Sequence, residues 1–368
     1  MNNYFEWTQV NMRNLYALAE AIDPSIFQKK TIYINIPLTW ETAVLVDVLR
    51  RMNSNIIVVP LSSGKSGSLK PGVLKVIEKW SNVKCYPKAT KRNRVSALKT
   101  YPDIVLDCIG CATQTAIEHK LLKNMGGILE LTRSGVVKHE QWVKEKLINV
   151  PVIPIDNCPI KRMGEDKHAT GLSLLQCLLS LNIHIPSKKV AIIGYGPVGS
   201  SCALYLQAIG AEVFIIERDP VKKLFGKYEA CIIESEKEVL QTCDIIITAT
   251  GQQNVLDLRE FDMFKNGVIL VNMGANSGEW NRVLLEGKGR EVFPYLKRYR
   301  YKGKSIYEMA DGNSVNLVMG ASVIEIMDMT FSVILKAMEY FLNNEKNLSG
   351  ICELPEKIYS KAILLKNI

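Results

Sequence analysis

KKVAIIGYGPVGSSCALYLQAIGAEVFIIERDP, residues 188–220, is the stretch that decides the fold. The apolar run Val190 to Ile193 reads as a buried parallel strand. It enters Gly194-Tyr195-Gly196-Pro197-Val198-Gly199, a G-x-G-x-x-G turn. Ala203, Leu204, Leu206 and Ile209 then recur at helical spacing, Gly210 closes that helix, and a second apolar run, Val213 to Ile216, ends at Glu217. Each part has a chemical reason. Gly194 permits the tight turn, Gly196 lets backbone approach a pyrophosphate, and Gly199 lets the helix pack on the strand. The helix start offers unpaired N–H groups, from Val198 onward since Pro197 has none, and partial positive charge to phosphates. A carboxylate at Glu217 can accept from both ribose hydroxyls, which favours NAD, while Arg218 beside it leaves NADP open. The alternative is a glycine turn in a similar domain that binds nothing.

Outward from this stretch, strand and helix alternate along the chain. Strands are expected at Thr31–Ile36, Asn55–Pro60, Val83–Tyr86, Asp103–Asp107, Gly127–Leu131 and Val152–Ile155. Helices are expected at Trp7–Ile22, Trp40–Arg51, Pro71–Trp80, Thr113–Asn124 and Gly135–Lys146. Gly171–Ile183 reads as a helix leading into the cofactor half. Beyond Glu217, helices at Asp219–Phe225, Lys237–Gln241 and Leu258–Phe264 alternate with strands at Ala230–Ile233, Asp244–Thr248 and Val268–Asn272. Val315–Leu342 reads as one long helix crossing back, and Leu354–Leu365 as the last. Such grammar predicts an α/β chain of two Rossmann-like, doubly wound parallel-sheet domains joined by hinge helices. Residues 1–170, completed by 318–368, form the substrate domain, and 171–317 the dinucleotide-binding one. Strand ends such as Ala249-Thr250-Gly251 and Met273-Gly274 are where such sheets hold ligands.

Composition sets the bounds. A chain of 368 residues, 47% hydrophobic, suffices for two cores. No apolar run reaches the ~18 residues that span a bilayer, and the start lacks a signal-peptide pattern. The nine cysteines are scattered, many within apolar runs, which suits reduced thiols and a cytoplasmic setting. Cys108 and Cys111 form a lone C-x-x-C without a second pair, so no metal is expected. The net charge of +9 is dispersed. Its basic runs, Lys88–Lys99 and Lys297–Lys304, argue weakly for nucleic acid: the first lacks aromatics, and the second reads as a solvated strand or hairpin. Anionic small molecules gain more from such a field. Ser62–Ser68 is a flexible Gly/Ser loop able to touch substrate, without phosphate-loop spacing.

Several motifs, in order, resemble S-adenosylhomocysteine hydrolase. Gly194–Gly199 is similar to that family's GYGDVG, Glu217–Pro220 to its E-x-D-P, and Thr248–Gly251 to its TTTG. Asn272-Met273-Gly274 stands where it has NIGH, and Val315-Asn316-Leu317 where it has VNL. Thr39–Leu45 resembles T-x-E-T-A-V-L, Ile104–Asp107 resembles ILD, and Thr132-Arg133-Ser134-Gly135-Val136 resembles TTTGV. The resemblance implies NAD as cofactor, a small-molecule substrate and a homodimer or homotetramer. It places Thr132, Arg133, Ser134 and Asn316 among cofactor-binding residues, and Thr39, Asp107 and Glu130 along a substrate cleft.

Departures accompany the matches. Pro37 replaces the family's first catalytic His, Cys108 a second acid, Leu131 the second Glu of a pair, and Ala275 the His after N-I-G. No histidine follows His184. Lys161 stands at the family's catalytic lysine, followed by Glu165 and Asp166 in place of Asp-Asn. Hydride transfer needs the nicotinamide and one group to take a hydroxyl proton. Lys161 fills that role, Glu165 or Asp166 orients it, and His168 is the other candidate. The expectation is an NAD-dependent oxidoreductase or redox-assisted lyase acting on a nucleoside-like metabolite. A catalytically degenerate NAD-binding regulatory or assembly protein is one alternative, and a true adenosylhomocysteinase with a rebuilt site another.

Overall fold

The computed structural model describes residues 3–61, 72–275, 278–320 and 323–363. The chain divides into two compact units, Met1–Gly164 with Ile324–Ile368, and Glu165–Val323. The sequence boundaries at 170/171 and 317/318 fall a few residues from these.

Among the described residues, the first unit holds six strands, β1 (Thr31–Asn35), β2 (Asn55–Val58), β3 (Val83–Cys85), β4 (Ile104–Asp107), β5 (Gly127–Glu130) and β6 (Val152–Pro154). They lie parallel in the order β3-β2-β1-β4-β5-β6. Alternate residues feed two cores. Ile32, Ile34, Ile104 and Leu106 face one cluster, and Tyr33, Val105 and Ile128 the other, as period-2 side-chain direction requires. The winding reverses between β1 and β4, so the loops after them open a crevice at their carboxyl ends.

The helix Ile324–Asn344 buries Phe331, Ile334, Leu335, Met338 and Phe341 on the first cluster. Gly127 makes room for it: a Cβ there would lie 2.3 Å from Phe341 Cε2. Val152 N–H donates to Gly350 O (2.8 Å), and Cys352 N–H to Val152 O (2.8 Å), so the terminal segment flanks β6. The leading helix is two, Asn3–Asn11 and Arg13–Ala21, interrupted at Met12. Asp328 holds the second, its carboxylate accepting from Asn14 N–H (2.8 Å) and Leu15 N–H (2.8 Å). The basic run includes a helix, Lys91–Leu98, that apolar periodicity did not mark. Ser62–Ser68 lies outside the described residues.

The second unit holds β7 (Lys189–Ile193), β8 (Glu212–Ile216), β9 (Ile245–Thr248), β10 (Ile269–Asn272), β11 (Glu286–Phe293), β12 (Leu296–Tyr301) and β13 (Lys304–Met309). Their order is β11-β12-β13-β10-β9-β7-β8. The first four and β13 run parallel, and β11 and β12 add an antiparallel extension. The basic run Lys297–Lys304 is thus the hairpin between β12 and β13, with Tyr299 and Tyr301 buried. Arg282 grips Glu308 bidentately (2.9 and 2.8 Å), and Trp280 Nε1–H donates to the same carboxylate (2.9 Å).

Two expectations here are corrected. Ala230–Ile233 forms only an isolated bridge, Ile232 to Phe214. The long helix from Val315 is broken: Val315–Met319 ends at Gly320 in the left-handed region (φ 79°), and Ile324–Asn344 begins afresh. Among the described residues no helix is long and apolar enough to cross a membrane.

Candidate active site

In the second unit the glycine turn is built as its residues require. Gly194 has φ 92°. A Cβ on Gly199 would sit 1.9 Å from Gly194 O, whereas one on Gly196 would meet nothing within 4 Å. The open side at Gly196 is where a pyrophosphate needs backbone to approach. Gly196 begins the helix Pro197–Ala208, and no side chain caps it. Its first N–H groups therefore remain available to an anion, which fits NAD.

Glu217 ends β8 with both oxygens turned to backbone. Oε2 accepts from Tyr195 N–H (2.7 Å), and Oε1 from Arg218 N–H (2.7 Å) and Asp219 N–H (3.0 Å). Burial opposes its charge, but those three donors and Lys222 outweigh it and hold the carboxyl below its ordinary range. It stays an ionised acceptor beside the turn, the state that ribose hydroxyls need. Arg218 is exposed.

The ends of β9 and β10 complete the edge. Ala249 N–H donates to Ile193 O (2.9 Å). Thr250 N–H (3.1 Å) and Oγ1 (2.7 Å), with Gly251 N–H (2.7 Å), donate to Glu279, which is fully buried. Gly274 N–H donates to Asn272 Oδ1 (2.7 Å), and Met273 is buried in the core. Asn316 Oδ1 accepts from Ser314 Oγ (2.8 Å). The sequence reading did not single out Glu279; an acid five residues past Gly274 carries no periodic signal.

In the first unit, Asp107 and Glu130 end adjacent strands and are fully buried. Asp107 Oδ1 accepts from Cys108 N–H (2.9 Å) and Ala112 N–H (2.9 Å), and Oδ2 from Thr113 N–H (2.9 Å) and Oγ1 (2.8 Å). Glu130 Oε1 accepts from Ile109 N–H (3.1 Å), Thr132 N–H (2.9 Å) and Thr132 Oγ1 (2.6 Å), and Oε2 from Gly110 N–H (3.0 Å). Asp107 and Glu130, read from the sequence as substrate-binding residues, thus hold the loop 108–112 and the start of the helix Arg133–Lys144. His139 lies with them, its Nδ1 2.8 Å from Gly135 O and Nε2 3.0 Å from Thr113 Oγ1. The three could ligate a cation by type, but their donor atoms are turned onto backbone and Thr113.

Thr39 caps the helix Trp40–Arg51, its Oγ1 facing Thr42 N–H at 3.4 Å. Glu41, the second residue of that helix, is 6% exposed. The T-x-E-T motif held that signal. Thr132 Oγ1 also accepts from Gly135 N–H (3.2 Å), Arg133 donates to Asn157 Oδ1 (3.2 Å), and the buried Ser134 Oγ has no partner. These three sit in the first unit, whereas the glycine turn belongs to the second.

Lys161, Glu165, Asp166 and His168 share a π-helix, Ile160–Ala169, where the sequence predicts a polar loop. With about 4.4 residues per turn, Lys161 has Glu165 and Asp166 one turn on. Lys161 is only 6% exposed, whereas His168 is exposed. Burial, Glu130, Asp107 and Cys111 push the Cys108 thiol up, and Lys161 alone draws it down. His119 and His184 are exposed.

A family model described as S-adenosyl-L-homocysteine hydrolase, NAD binding domain, matches residues 172–322. An adenosylhomocysteinase of Aeropyrum pernix is 32% identical over 309 residues, 80% of this chain and 73% of that one. An adenosylhomocysteinase of Pyrococcus abyssi is 31% identical over 273 residues, and the match spans 64% of that protein's length. An S-inosyl-L-homocysteine hydrolase of Methanocaldococcus jannaschii is 28% identical, covering 93% of this chain and 85% of that one. A dipicolinate synthase chain from Bacillus halodurans shares the fold, with a TM-score of 0.52 at 11% identity over 85% of this chain and 99% of that one.

Proposed function

Because the chain belongs to the S-adenosyl-L-homocysteine hydrolase family and is an NAD-binding enzyme of it, we propose that it oxidises a ribose hydroxyl of a purine nucleoside thioether. Gly194–Gly199, Glu217, Ala249–Gly251, Met273–Gly274 and Asn316 would hold the dinucleotide. NAD bound there supplies acceptance and return of a hydride. The chain's own residues handle the proton: Lys161 holds that of the hydroxyl at Nζ, and Glu165 and Asp166 orient the amine. Thr39 and Glu41 receive the substrate's polar edge.

The observation that carries this reading is Lys161, a lysine only 6% exposed on the helix Ile160–Ala169, with Glu165 and Asp166 one turn on. A lysine kept there at the cost of desolvation has a task other than solubility.

A second reading is full hydrolysis of the thioether. Relatives named for S-adenosyl- and S-inosyl-L-homocysteine support it, since both substrates share the ribose–sulfur centre and differ at the purine. One experiment separates the two: incubate the protein with NAD and each thioether, then follow reduced-nicotinamide absorbance and homocysteine release. Absorbance without release is expected for the oxidoreductase, and release for the hydrolase. NAD binding with neither signal defeats both. Lys161→Ala is expected to abolish turnover by at least a hundredfold while NAD stays bound; an active variant removes Lys161 from the role.

A further inference from the structure

We propose that Glu279 is the positioning residue for the nicotinamide half of the cofactor. It acts through two loops and touches neither cofactor nor substrate. The inference rests on this unit binding NAD, and is independent of which reaction follows.

The geometry is one-sided. Glu279 Oε2 accepts from Thr250 N–H (3.1 Å) and Thr250 Oγ1 (2.7 Å), and Oε1 from Gly251 N–H (2.7 Å). All of these partners act as donors, so only a carboxylate satisfies them together. Burial pushes its pKa up, while the hydrogen bonds from Thr250, Gly251 and Thr248 oppose that. The same side chain fills the space beside the next strand end: a Cβ on Gly274 would fall 1.6 Å from Glu279 Oε1. The backbone is pinned as well, since Val255 N–H (2.7 Å) and Leu256 N–H (3.1 Å) both donate to Glu279 O. One carboxylate therefore sets the loop after β9 and packs against Gly274 at the end of β10.

Those loops lie on one side of the pyrophosphate cradle. The sheet order places β8 with Glu217 on one flank of β7 and β9 then β10 on the other. An adenosine ribose held at Glu217 puts the second nucleotide half over β9 and β10. A disturbance at Glu279 should reach that half and spare the first.

The test compares NAD with ADP-ribose, which lacks the nicotinamide, by calorimetry on the full chain. E279Q keeps the shape but presents an amide N–H₂ to backbone donors. Expected is a loss of NAD affinity of tenfold or more, with ADP-ribose affinity changed less than twofold. E279D keeps the charge and is expected to recover part of the NAD affinity. Equal losses for both ligands in both variants would reduce Glu279 to general support of the unit and overturn the proposal. So would unchanged NAD affinity in E279Q.

Discussion

Glu217 and Asp107 both end a parallel strand and both read as ligand-facing acids, yet the structure treats them differently. Glu217 is half-buried and accepts three backbone N–H groups, with lone-pair capacity left for a ribose. Asp107 has four donors and no exposure. Sequence shows that an acid ends a strand; it does not show whether the following turn folds back to consume it. Glu217→Ala is expected to weaken NAD binding by about 1–3 kcal/mol, the cost of leaving buried polar partners unpaired. Calorimetric titration checks it, and an unchanged affinity would move the ribose elsewhere. Lys161 was legible as a residue type in a motif. Its burial was not, because a charged stretch such as KRMGEDKH reads as a solvated loop until a π-helix turns one side inward.

At the scale of elements, the central parallel strands of both sheets were legible because runs such as Ile104–Leu106 and Ile245–Ile247 are apolar throughout, as doubly covered strands must be. What escaped was broken by single residues. Gly320 stops a helix that apolar spacing continues through. The run Lys297–Lys304 reads as a solvated hairpin and is one, but its tyrosines, unlike its lysines and arginines, face the core. Asp328 shows an element held from afar. Its two contacts cap the helix Arg13–Ala21, and Asp328→Ala is expected to cost about 1–2 kcal/mol at neutral pH. Burial, against the pull of the Asn14 and Leu15 N–H groups, raises its pKa to about 6. The folded chain thus takes up this proton before the unfolded one, whose value is about 3.9. The stability it confers is full below that lower value and declines as pH rises through about 6. The urea-midpoint difference between wild type and variant should therefore widen from pH 7 toward about pH 4. A difference that narrows on acidification contradicts the assignment.

For the whole molecule, two units with separate cores predict two unfolding steps, and only one of them should respond to the dinucleotide. NAD at about 100 times its dissociation constant should add ~2.7 kcal/mol to the unit Glu165–Val323. Calorimetric scans with and without NAD should show one transition moving up by a few degrees and the other staying put. A common shift of both would mean that the units unfold together. The double-sheet architecture was legible from the repeated strand–helix grammar. That the first sheet is finished by the chain's final segment was legible only as a long apolar run near the end, with no indication of which strands it covers.

The seating of Phe341 over Gly127, and of residues 350–352 beside Val152, bears on how the protein is made. A ribosome releases β1 to β6 well before the helix that covers them. At roughly 5–20 residues per second, the interval between Gly164 and Ile324 lasts on the order of ten to thirty seconds. Throughout it the nascent first sheet waits with part of one apolar face uncovered, the part that Phe331–Phe341 later fill, while the glycine-turn unit can already close. Newborn chains should therefore depend on chaperones most during that window, and a premature stop before residue 324 should yield aggregates rather than a smaller working protein.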